Sequence, residues 1–210
     1  MQPPPPSPTA RAVLARQRGE VALAGRAGDE GAVRAALADP EPSVRAGALA
    51  ALVRLGAAGA GDTAAALADP AGEVRRMACE LAPRLPAARY GPLLADADPT
   101  VVEAAAFACG EVGELEALPA LLEVATGHDD VLCRESAVAA LGALGEPAGL
   151  PAVLAALAGP PALRRRAVVA LAAFEGDEVE EALRAGLEDR DWQVRQAAAD
   201  VLGLSGEERR

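Results

Sequence analysis

The chain of 210 residues contains no Lys, no Asn and no Ile. All 20 of its basic residues are therefore Arg. Without Lys there can be no Schiff-base amine and no P-loop lysine. The three missing residues all use AT-rich codons, which fits a bacterial, GC-rich genome. Histidine occurs once, as His128, so a Ser–His or Cys–His mechanism has no partner at a readable spacing. Cys79, Cys109 and Cys133 are odd in number, widely spaced and lack a C-x-x-C pair. That excludes a disulfide framework and fits a reducing cytoplasm. Aromatic residues are 2 % of the chain: Tyr90, Phe107, Phe174 and Trp192. No long apolar run exists either. The longest nearly uncharged stretch, Ser136 to Leu163, is broken by Pro147, Pro151, Pro160 and Pro161 and carries Glu146. It does not read as a membrane span. The opening "MQPPPPSPTAR" lacks a basic region followed by an apolar core, so no secretory signal is expected.

What is abundant is Ala, about a quarter of the chain, within a hydrophobic content of 51 %. Ala is the best helix former, and its small side chain lets helices approach closely. Acidic residues outnumber basic ones, for a net charge of −11 and a pI near 4.6. Such a chain repels phosphate backbones unless its Arg residues gather on one face, so neither nucleic acid nor an acidic membrane is an expected partner.

Internal repetition organises the sequence. An apolar residue followed four positions later by Ala recurs at Val44/Ala48, Val74/Ala78, Val101/Ala105, Cys133/Ala137, Leu163/Ala167 and Val194/Ala198. The first members are 30, 27, 32, 30 and 31 residues apart. The next position (+1, counting the apolar residue as zero) holds Arg45, Arg75, Val102, Arg134, Arg164 and Arg195. Five before the apolar residue stand Asp39, Asp69, Asp96, His128, Ala158 and Asp189. The third copy thus lacks the Arg, the fifth lacks the acid, and the fourth has His with Asp129 beside it. Apolar residues or Ala recur at zero, +4, +7, +8 and, in all but the last copy, +11, which is one stripe of an amphipathic helix. A shorter apolar pattern precedes each turn: Leu118, Leu121, Leu122 and Ala125, for example. Each copy therefore reads as a pair of helices, A and B. A lone pair of this length cannot bury its stripe, but stacked pairs can. The fold class is all-α: a right-handed α-solenoid of about six stacked helix pairs with an N-terminal capping helix.

The phrase D-P-x(4)-V-R-x(2)-A-x(2)-A-L-x(2)-L-G resembles HEAT repeats, in particular the short variety of bilin-lyase-like proteins. The likeness covers residues 28–204, divided as 28–57, 58–86, 87–113, 114–145, 146–174 and 175–204. Residues 9–27 form the capping helix, residues 1–8 a Pro-rich disordered tail, and 205–210 a polar C-terminal tail. The resemblance implies a ladder between neighbouring repeats, built by Asp39, Asp69, Asp189, Arg45, Arg75, Arg134, Arg164 and Arg195. An Arg one position from the stripe sits at its edge, where its fork can bond turn carbonyls and carboxylates.

The resemblance also places the B helices on a concave wall. Opposite the stripe lie positions +2, +6 and +9, which vary from copy to copy. They supply the candidate partner-binding set Arg76, Glu80, Glu103, Phe107, Glu135, Arg165 and Val169. Phe107 either faces solvent in the middle of the stack or packs between B helices. Trp192 is expected to pack the end of the stack. The Cys residues read as small buried hydrophobes.

No catalytic, metal or cofactor constellation is legible. Deoxyhypusine hydroxylases share the architecture but bind iron through His-Glu pairs, of which this chain has none. DNA glycosylases of HEAT-like build need a basic face. The leading expectation is a monomeric cytoplasmic scaffold or adaptor binding an unidentified protein or peptide. The sequence does not decide whether the chain is an enzyme, and favours that it is not. The alternative is a bilin-lyase-like subunit or chaperone for a prosthetic group; a DNA-binding protein comes third.

Overall fold

The structure, a computed structural model, describes residues 8–204. The tails expected over 1–7 and 205–210 lie outside the described residues. The described residues contain helices and no strand, and they fall into two compact units that meet at Ala88 and Arg89.

The first unit holds α1 (Pro8–Ala27), α2 (Glu30–Ala36), α3 (Pro42–Leu55), α4 (Ala60–Leu67) and α5 (Gly72–Glu80). Helices α2 and α3 are the first A–B pair, and α4 and α5 the second. Between α1, α2 and α3 lie Val21, Val33, Val44, Ala48 and Leu52, all buried. Leu49, Ala66, Val74 and Ala78 bury the second layer. Helix α1 lies along α3 closely enough that a Cβ on Gly25 would stand 3.0 Å from the Ala51 Cβ. Pro8, assigned to the tail by sequence, already belongs to α1.

The second unit holds α6 (Pro99–Val112), α7 (Leu118–Gly127), α8 (Val131–Leu144), α9 (Leu150–Ala156), α10 (Pro161–Ala170), α11 (Asp177–Gly186) and α12 (Trp192–Val201). Helices α6, α8, α10 and α12 are the B helices; α7, α9 and α11 are A helices. The third copy departs from a helix pair. Its A segment is only a 3-10 turn, Gly91–Ala95. This copy is the shortest, and Pro83, Pro86 and Pro92 remove N–H donors from the stretch leading to it. The turn is held instead by the Glu114 carboxylate, which accepts the backbone N–H of Tyr90 at 2.7 Å and of Gly91 at 3.2 Å.

Short polar signals set the helix ends. Asp98, Asp130 and Asp191 accept from backbone N–H groups in the first turns of α6, α8 and α12. Gly56, Gly113 and Gly145 end α3, α6 and α8 in the left-handed conformation, at φ 67, 68 and 63°.

The B helices are buried more widely than the stripe implies. Position +5, outside the expected stripe, is Leu49, Cys79, Ala106, Val138 and Val168 in the first five copies, and all are fully buried. Along α6, α8 and α10 the reason is close contact between successive B helices. A Cβ on Gly110 would approach the Ala140 Cα to 3.0 Å, and one on Gly142 would come within 2.8 Å of the Ala170 Cα. Adding +5 turns the centre of the buried face by roughly 30° around the helix axis, at 3.6 residues per turn. The solvent face turns with it.

Candidate functional site

Two constellations recur along the B helices. One is the Asp–Arg ladder and the other is a groove.

In the first unit, Arg45 donates from Nε and Nη2 to the two oxygens of Asp69, at 2.8 and 2.7 Å. Its Nη1 donates to the carbonyls of Asp39 and Pro40 in its own turn. Arg75 donates to the Asp69 carbonyl at 2.7 Å. In the second unit the same fork runs from Arg164 to Asp189, again at 2.8 and 2.7 Å, with Nη1 on the Gly159 carbonyl. Each acid also accepts the N–H two residues on, Ala71 for Asp69 and Asp191 for Asp189. Charge-assisted bonds from the Arg forks hold both carboxyls below the usual carboxylate range. Arg195 donates to the Asp189 carbonyl of its own turn, and Asp39 accepts the Glu41 N–H.

The irregular copies now make sense as rungs, because Arg45 and Arg164 each reach forward to the next copy's acid. The missing Arg of the third copy and the missing acid of the fourth belong to one rung. There Val102 is buried, and His128 keeps the turn by accepting the Asp130 N–H on Nδ1 at 3.0 Å. The next rung is half-built. Arg134 is present, but the forward position is Ala158. The Nε of Arg134 is buried and has no hydrogen-bond partner among the described residues.

The groove runs over α6, α8 and α10 in the second unit. It consists of two adjoining recesses of about 370 and 250 Å³ that share Ala139, Ala143 and Arg166. Phe107 walls one recess and Val169 the other. They are 50 % and 49 % exposed, so Phe107 faces solvent and is not enclosed between helices. Gly110, Gly142 and Ala170 form the small-residue floor, because the close B–B contact admits nothing larger. Glu111 adds a carboxylate on the α6 side, and Arg166 stands on the α10 side.

The remaining sequence candidates fall elsewhere. Glu103, Glu135 and Arg165, all at +2, are half-buried and do not line either recess. Arg76 and Glu80 lie on α5 in the first unit and pair with each other. Sequence reasoning missed Arg166, Glu111 and Ala143. They occupy +3, +10 and +10, positions brought outward by the rotation that +5 imposes. The signal was present, since +5 is apolar in every copy. Trp192, expected to pack the end of the stack, opens α12 and is 65 % exposed.

Nothing among the described residues assembles a metal site: no group of three or more His, Cys, Asp or Glu is close enough together. The three Cys are buried and form no disulfide with one another, and burial pushes the Cys133 thiol up to about 11. No described helix is long and apolar enough to cross a membrane.

The family profile of HEAT repeats matches residues 91–162 and 150–210, more than half of the chain. The chain belongs to the HEAT-repeat family. No curated protein matches it. Among solved structures, the Escherichia coli protein YibA is 16 % identical, with a TM-score of 0.58 over 96 % of this chain and 77 % of YibA. An engineered protein is 18 % identical at a TM-score of 0.58, over 89 % of this chain and 60 % of its own length. At these identities the likeness is one of fold.

Proposed function

We propose that this HEAT-repeat chain is a non-enzymatic adaptor that takes a peptide segment of a partner protein along the groove of α6, α8 and α10. One observation carries the reading: the groove joins two apolar recesses under an exposed Phe107 and Val169, with opposite charges at its two sides. Exposed apolar surface rimmed by charge is the usual character of a protein contact, and an aromatic in its centre is the usual anchor. The polarity chooses the occupant. Arg166 on the α10 side favours a carboxylate, and Glu111 on the α6 side favours a basic residue. The fitting segment has small or medium apolar side chains over the Ala and Gly floor, between an acidic residue at one end and a basic residue at the other.

The test is selection of peptides from a random display library on the whole chain, followed by binding to variants. Peptides enriched by the wild type should carry that apolar core with flanking charges. They should bind at least tenfold more weakly to the Phe107→Ala, Arg166→Glu double variant, with helical circular dichroism unchanged. Arg165→Glu should bind like wild type. Peptides that bind the double variant as well as the wild type would remove the groove from the function.

A further inference from the structure

The half-built rung of the ladder has a chemistry of its own, independent of the groove. Arg134 occupies the same +1 position on α8 that Arg45 occupies on α3 and Arg164 on α10. At the Arg45 and Arg164 rungs the Arg Nε and Nη2 hold a single carboxylate at 2.8 and 2.7 Å. At the Arg134 rung the Arg is kept and only the carboxylate is gone. Ala158 retains the Cβ of an Asp and nothing beyond it. The turn has adapted to the loss: two residues on, where the other turns present an N–H to their Asp, stands Pro160, which has none. The Arg134 Nε is buried without a partner among the described residues, a state that is costly for a donor attached to a cation. Ala158 itself is exposed, so the missing group can be supplied from solvent.

We propose that Arg134 and the Ala158 turn form a binding site for a small carboxylate anion, which occupies the place of the absent aspartate. The fork makes two parallel charge-assisted bonds, so the site selects a planar carboxylate over a spherical anion such as chloride. Because Pro160 cannot add a third donor, the fork alone holds the ligand. Binding is therefore weak and in fast exchange. Any substituent on the carboxylate projects past the exposed Ala158 into water.

Acetate is the probe. The Nε–Hε resonance of Arg134, assigned by its loss in Arg134→Lys, is followed in the full chain at fixed pH and ionic strength while acetate replaces chloride. The expected result is a saturable downfield shift in the wild type. Ala158→Asp should show the shifted position without acetate and no further response. A shift that grows linearly without saturation, a wild-type resonance that does not move, or an equal response in Ala158→Asp would each overturn the site. Should Ala158→Asp not fold, the thermal midpoint replaces it. Acetate should raise the midpoint of the wild type more than equimolar chloride does, and Arg134→Met should lose that difference. An undiminished difference in Arg134→Met would overturn the site as well.

Discussion

Replacing Gly142 by Ala sets two effects of known size against each other. In a free helix the change is favourable by ~1 kcal/mol, because Gly gives up more backbone freedom than Ala on folding. In α8 the added methyl would stand 2.7 Å from the Ala170 Cβ and 2.8 Å from its Cα. Both distances are shorter than real carbon contacts, and the second is to backbone, so α10 must move as a body. Overpacking of this kind costs about 1–3 kcal/mol, and a clash against backbone belongs at the upper end. The expected net loss is ~2 kcal/mol, or a fall in thermal midpoint of about 8 °C for a unit of this size. Two further glycines calibrate it. At Gly110 a Cβ meets the Ala140 Cα at 3.0 Å, so the loss should be smaller. At Gly47, inside α3, nothing lies within 4 Å, and Ala should stabilise by up to ~1 kcal/mol. Denaturant unfolding followed by circular dichroism reads all three. The order Gly47→Ala, wild type, Gly110→Ala, Gly142→Ala from most to least stable is required. A Gly142→Ala protein as stable as wild type would mean that α8 and α10 do not touch at that point, and the floor of the groove would go with them.

Other expectations rest on the ladder and the caps. Hydrogen bonds from Arg45 and Arg164 lower the folded-state pKa values of Asp69 and Asp189 below the unfolded value of about 3.9. Their stabilisation is complete above that value and is lost as pH falls through it toward the folded pKa. Thermal midpoints between pH 7 and pH 2 should therefore fall less steeply in Asp69→Asn and Asp189→Asn than in wild type; parallel curves would show that the forks add nothing. Glu114→Ala removes the acceptor of two backbone N–H groups at Tyr90 and Gly91 and should cost about 2–3 kcal/mol in denaturant unfolding, whereas Glu114→Gln, which keeps one acceptor oxygen, should cost less. Gly145→Ala places a side chain at φ 63° and should cost about 1 kcal/mol, against no loss for Ala at the uncrowded Gly61, whose φ is ordinary. Cys133, with its thiol raised to about 11, should react with iodoacetamide at pH 8 only after denaturation; rapid labelling of the native chain would contradict its burial.

How far the sequence leads depends on how local each cause is. Helix pairs follow from a period visible within a dozen residues, and the turn Asp and helix Arg recur at a fixed offset within each copy. Those features could be read without coordinates. The third A segment could not, because the deletion that shortens it, the prolines beside it and the Glu114 carboxylate that replaces the helical hydrogen bonds lie in different copies. The groove failed for a subtler reason. The stripe at zero, +4, +7, +8 and +11 describes what each B helix buries against its own A helix. Position +5 is also buried in the first five copies, and its apolar character in all six was visible but had no assigned role. Including it turns the free face from +2 toward +3 and +10, exchanging Arg165 for Arg166 and Glu103 for Glu111.

The same reasoning explains why the ladder's defects were seen but not understood. Read within each copy, the missing Arg at Val102 and the missing acids at His128 and Ala158 are three unrelated losses. Read between copies they are two rungs. In one, both the Arg and the acid are gone, and a buried Val and a His that accepts the Asp130 N–H stand in their place. In the other, one charge remains. A cation kept at a half-buried position after its partner has gone is the less stable arrangement. Restoring the pair in Ala158→Asp should therefore stabilise the second unit, even without the extra N–H that Pro160 denies it. If it does not, Arg134 is satisfied by water, and the rung is a relic of the repeat with no chemistry left in it.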